Sequence, residues 1–274
     1  MRQPRTAVLL ALVLASGVPS FAAAAKPSTA HAAASMPDWS GAWARASGGF
    51  YEASPGATAF DPKLPPHSVP THPPYNAKFE AIFQENLKRI AAERYPDPIS
   101  ICGTPAGWPR LLGTPDAYEF VVRPEQTWIL SENGPNVMRI YTDGRGHPKP
   151  DDMWLTYTGN NVGHWDRDTL VFDSIGMKGV GSVILGRGGV VMSDKLHVST
   201  RMRLIAPDRL MIAMVLDDPD ALTAPWPLTF TFTRLPKGSW VYDYACAENN
   251  RNPIRPDGKT LTLDTNGKVV DTSP

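Results

Sequence analysis

Cysteine is nearly absent from this sequence: there are 2 in 274 residues, Cys102 and Cys246. That excludes a paired-thiolate metal site and a disulfide-dense scaffold. An excess of one charge is missing too, with 27 basic residues against 27 acidic ones and no basic stripe, which argues against nucleic acid or an anionic membrane surface as partner. Beyond residue 25 no run approaches the roughly 20 apolar residues that cross a bilayer, so no stable membrane insertion is expected. The chain has no His-x-His or His-Glu-x-x-His pair, no Gly-x-Ser-x-Gly elbow, no Walker loop and no dinucleotide fingerprint. Gly186-Arg187-Gly188-Gly189 is glycine-rich, but no helix signal follows it to present amides to a phosphate. No metal and no cofactor are expected.

What is present begins at the N-terminus. Arg2 and Arg5 precede an apolar run, Ala7 to Val18, which is followed by the small residues Ala22 to Ala25. That order is a secretory signal peptide over residues 1–25, and it predicts export and a periplasmic location. The run is too short for a retained anchor. In an oxidising compartment the two cysteines predict a Cys102–Cys246 disulfide, since no Cys-His motif marks either as a catalytic thiol. It would close a very long loop, worth at most about 5 kcal/mol.

Residues 26–75 are rich in Pro, Ala, Ser and Gly and read as an extended arm, with one aromatic island, Asp38-Trp39-Ser40-Gly41-Ala42-Trp43. Residues 76–98 read as a helical segment: Asn76 caps it, Phe79, Ile82, Phe83, Leu87, Ile90 and Ala91 share a face, and Tyr95-Pro96 ends it. From residue 117 the period becomes two. Strands are predicted at 118–123, 127–131, 137–142, 153–158, 162–165, 169–173, 180–185, 195–205, 209–216 and 228–234, with tight turns at Trp165 to Thr169 and Ile205 to Arg209. Close strands without intervening helices predict a mainly β domain over residues 99–252. It is an antiparallel up-and-down, lipocalin-like barrel or a strongly curved sheet with one N-terminal helix, and a tail follows at 253–274. The strand 209–216 is apolar on both faces, which predicts cover on both sides.

Three clusters are candidates for chemistry. The first is Arg139, Tyr141, Asp143, Arg145 and His147, a strand running into a glycine-bracketed loop. Arg, Asp and His on one loop suit an oxygenated ligand or acid/base work, although Asp143 also suits a plain turn cap with a solvated Arg145. The second is His164 and Trp165 before Asp166 and Asp168. Their alternation would suit a metal on an unbroken strand, but the Asp166-Arg167-Asp168 turn breaks it. In the third, His197 and Arg201 stand four apart on one strand face, about 13 Å by strand rise, and line either a cavity or an exposed outer face. Asp217 to Asp220 reads as an acidic turn, and Trp226 between two prolines as a structural plug.

Four blocks carry a resemblance: Arg139-Ile-Tyr-x-Asp-Gly-Arg-x-His147, Gly163-x-Trp-x-x-Asp-Thr-Leu-Val171, Ser193-Asp-x-Leu-His197 and Tyr244-x-Cys-x-Glu248. They resemble successive blocks of a large, mostly hypothetical group of exported proteobacterial β proteins. That group usually has Gly-Arg-Trp-Glu-Gly in the second block and often His where this chain has Ala247. More distantly, Gly41-x-Trp43 before a β meander is similar to lipocalin and calycin barrels, which implies a small, largely apolar ligand, aromatic or terpenoid in character. On that reading Arg139, Tyr141, His164 and Trp165 bind the ligand. An enzyme on the same scaffold, of hydratase, isomerase or lyase type, would use His147 or His197 as acid/base, with Asp143, Arg145 and Arg201 around the reacting group. A third reading is a structural envelope protein. Fold alone does not choose among these, and no oligomeric state follows from the sequence.

Overall fold

A computed structural model describes residues 36–50, 71–92, 94, 96, 105–114, 116–132, 137–178, 183–185, 188–242, 255–256, 261, 263 and 266–269. The signal segment, most of the arm and of the tail, and both cysteines lie outside these residues.

The protein is mainly β. Nine strands close a barrel, and in chain order they are β1 (Ala42–Ser47), β2 (Tyr118–Val122), β3 (Gln126–Ser131), β4 (Val137–Tyr141), β5 (Asn160–Asp166), β6 (Thr169–Ile175), β9 (His197–Ala206), β10 (Arg209–Asp217) and β11 (Trp226–Arg234). The short pair β7 (Val183–Ile184) and β8 (Val191–Met192) stands apart from it. The barrel strands follow chain order, with β7 and β8 intervening between β6 and β9, and β11 returns to β1 to close it. This is the up-and-down, lipocalin-like architecture that the period of two implies. The first strand comes from the aromatic island inside the Pro-rich segment, where Trp43 (0% exposed) and Trp39 (1%) reach the core.

Eight of the nine junctions are antiparallel, and β4 and β5 run parallel through the pair Tyr141 and Val162. An odd number of strands cannot alternate all the way round a closed barrel, so one parallel junction is required. It falls where the sequence predicts a strand over 153–158. There the chain makes a 3-10 turn at Pro150–Asp152 and contributes only the isolated bridge Thr156 to Met177. Trp154 (84% exposed) and Leu155 (44%) point to solvent, so this stretch has β-forming residues but no apolar surface to cover.

The helix α1 (Ala77–Ala91) starts at Asn76, whose side chain accepts from the Phe79 amide at 3.0 Å. Its buried residues are Phe79, Phe83 and Asn86, whereas Ile82 is exposed. Asn86 stands seven positions after Phe79, in the centre of the stripe, and its amide donates to the Gly189 carbonyl at 2.9 Å. Ile82 falls at the stripe's edge. The helix packs on β8, where Tyr75 Oη also accepts from the Val191 amide. Nearby, the buried Asp218 accepts from the backbone of Ser193, Asp220 and Ala221 and from Ser193 Oγ, which ties this cap together.

Inward positions follow from register. Leu170, Met202, Ile212 and Phe230 form one row across β6, β9, β10 and β11, and all are fully buried. The outer face of β10 is not covered as its sequence predicts. Met211 and Ala213 are half-buried and Val215 is exposed, beside Arg203, Arg201 and Ser199 of β9. Long arginine stems can shelter such residues without a second layer.

Candidate functional site

One end of the barrel is sealed. Trp39 lies across it at 6.2 Å from Phe120 and 5.4 Å from Trp165, and its carbonyl accepts from Trp43 Nε1 at 2.9 Å. Arg234, at the end of β11, stacks on Trp43 at 4.4 Å and donates to the carbonyls of Asp38 (2.7 Å), Ser40 and Pro207 (3.1 Å). One guanidinium thus fastens the N-terminal segment and the β9–β10 turn to the base of the barrel. A cleft of about 350 Å³ lies on the rim of this seal, between Pro37–Gly41 and Glu119–Arg123.

The other end is filled by a short segment that ends in a 3-10 turn at Arg110–Gly113 rather than by strands. Trp108 sits 5.7 Å from Phe172, and Leu111 and Leu112 are fully buried. Tyr118 Oη donates to the Leu111 carbonyl at 2.7 Å and holds this segment down. Burial pushes the phenol pKa of Tyr118 well above its ordinary value, so it stays a neutral donor.

The structure places most of the sequence-predicted site residues outside the barrel. Arg139 pairs with Trp128 and Tyr141 with Gln126 on the outer face of β3 and β4. Arg145 lies over the Tyr141 ring at 3.9 Å, and its Nε contacts both oxygens of Asp143 at 2.9 Å, so the three side chains satisfy one another. The guanidinium holds the Asp143 carboxyl below its usual range. His164 is exposed and opposes Val171, while its neighbour Trp165 turns inward onto the core. Arg201 reaches Asp166 at 3.3 Å across the outer surface. His197 Nε2 and Ser199 Oγ both contact Asp173 Oδ1, at 3.2 and 2.8 Å. This is not a nucleophile triad, because serine and histidine bond the same carboxylate oxygen rather than each other. These residues form separate surface pairs and do not converge on one pocket.

His147 differs from them. Its Nδ1 lies 2.6 Å from Asn160 Oδ1, and its Nε2 is buried without a hydrogen-bond partner. Among the described residues no group of His, Cys, Asp and Glu could hold a metal ion, and no helix is long and apolar enough to cross a membrane.

The interior holds polar groups that the sequence pattern did not single out. Thr127, Asn161, Ser174 and Thr200 are at most 2% exposed, and each has a side-chain oxygen without a hydrogen-bond partner. A buried polar atom left dry costs about 1–3 kcal/mol, a large fraction of a whole domain's 5–15 kcal/mol, so a hydrogen-bonding partner at these oxygens would stabilise the barrel. The clue in the sequence was Thr, Ser and Asn at the inward parity of otherwise apolar strands.

Similarity adds no class of protein here: no family model matches the chain, and no curated protein does.

Proposed function

We propose that this chain is an exported, periplasmic carrier whose barrel holds a small, largely apolar molecule, aromatic or terpenoid in character. The observation that carries the reading is the asymmetry of the two ends. The base is locked by Arg234, Trp43 and Trp39, while the mouth is occupied by the separate segment Trp108–Leu112. A container needs one fixed end and one that can be displaced, and an apolar wall with a few placed polar groups is the usual make-up of such a site. Titration of the mature protein with N-phenyl-1-naphthylamine tests this. The expected result is saturable fluorescence at one probe per chain with energy transfer from tryptophan, unchanged in His197→Ala and Arg201→Ala. A linear, non-saturating response contradicts it.

An enzyme on this scaffold is the second reading, favoured by the buried, unpartnered Nε2 of His147. An imidazole held by one nitrogen, with the other unpartnered, can exchange a proton with a molecule that reaches it. On this reading His147→Ala abolishes turnover of the bound molecule while leaving its binding intact. Carriage alone leaves both molecule and affinity unchanged.

A further inference from the structure

Four small polar side chains stand on the inner wall over one half of the barrel, among apolar neighbours. Thr127 of β3 opposes Ile140, Ser174 of β6 opposes both Asn161 of β5 and Val198, and Thr200 of β9 opposes Phe172 and Met214. Since Ile140, Phe172, Val198 and Met214 are buried core, all four polar side chains share the interior with them. Strands β3, β4, β5, β6 and β9 are contiguous in the barrel. The facing half, β10, β11, β1 and β2, meets them with residues such as Ile212, Phe230, Phe232 and Phe120.

Two further facts narrow the chemistry. The inward positions of β3, β4, β5, β6 and β9 carry no charged side chain, so a carboxylate or ammonium meeting Thr127, Asn161, Ser174 and Thr200 would find no counter-charge on those strands. Asn161 Nδ2 is already spent on the Arg139 carbonyl at 3.0 Å, which leaves Oδ1, an atom that can only accept. A partner for it must bring a donor.

We propose that the barrel selects an uncharged molecule with an apolar body and hydroxyl groups along one edge, those hydroxyls meeting Asn161, Thr127, Ser174 and Thr200. This rests on the reading of the barrel as a container. Competition against bound N-phenyl-1-naphthylamine at pH 8 by dodecan-1-ol, dodecane and dodecanoate tests it, since the three share a chain and differ in the head group. Dodecan-1-ol is expected to displace the probe at a concentration about tenfold lower than the other two, the worth of one or two buried hydrogen bonds. In Thr200→Val and Ser174→Ala, each checked for an unchanged melting transition and each titrated afresh with the probe, the alcohol is expected to approach dodecane when both are measured in the same variant. Equal displacement by all three, or an alcohol preference that survives both substitutions, overturns the proposal and leaves the carrier reading standing, with water as the partner of these oxygens. A wild-type protein that binds no probe overturns both.

Discussion

Arg234 makes more contacts with other segments than its place at the end of a strand announces. Its guanidinium bonds three carbonyls from two segments and stacks on Trp43. Arg234→Met keeps the stem and removes both terms, so stability should fall by about 2–3 kcal/mol, read as a lower urea midpoint at unchanged slope. Asp143 makes a gentler test, because Arg145 lowers its pKa. A lowered carboxyl stabilises above its unfolded pKa of about 3.9, and that contribution is lost as pH falls through the folded value. Asp143→Asn should therefore change stability at pH 7 by less than about 1 kcal/mol, and the difference should shrink as pH falls through the folded value. A larger effect at neutral pH would mean that the loop does more than close on itself. Single residues were the least legible scale. The Asp143, Arg145 and Tyr141 cluster was visible as a pattern, but nothing in a linear sequence tells an outward arginine from an inward one until register is known. Trp165 and His164 show this best, as neighbours turned to opposite faces.

Among the elements, α1 and the hairpins β5–β6 and β9–β10 were legible because cap, period and turn chemistry agree there. Asn76 both caps the helix and donates to the Asp220 carbonyl at 2.8 Å. Asn76→Ala should lower stability by about 1 kcal/mol in thermal unfolding, and no change would deny the cap its role. Gly163 is the tightest point of the β5–β6 pair, since a Cβ there runs into the Val171 carbonyl and Phe172. Gly163→Ala should cost about 2–3 kcal/mol and loosen the hairpin, seen as faster amide exchange from Asn161 to Phe172. Residues 153–158 misled because β propensity reports a half-buried setting rather than a backbone preference. With Trp154 facing solvent, the stretch has no sheet to join. β1 was hidden for the opposite reason: Pro-rich neighbours mask a strand whose partners, β11 and β2, lie far away in sequence.

For the whole molecule, alternation along ten predicted strands led to the barrel class, and closure followed once β1 supplied the ninth wall. The internal chemistry stayed hidden, because four small polar residues scattered over 74 positions, Thr127 to Thr200, acquire meaning only when the barrel brings them to one wall. The central claim is that this barrel is a container. Native mass spectrometry of the mature protein isolated from the exported fraction, intact and then denatured, tests it most directly. The account predicts a native mass above the polypeptide mass by one small uncharged molecule, released on denaturation. A native mass equal to that of the polypeptide, from protein that also fails to take up N-phenyl-1-naphthylamine, would contradict it.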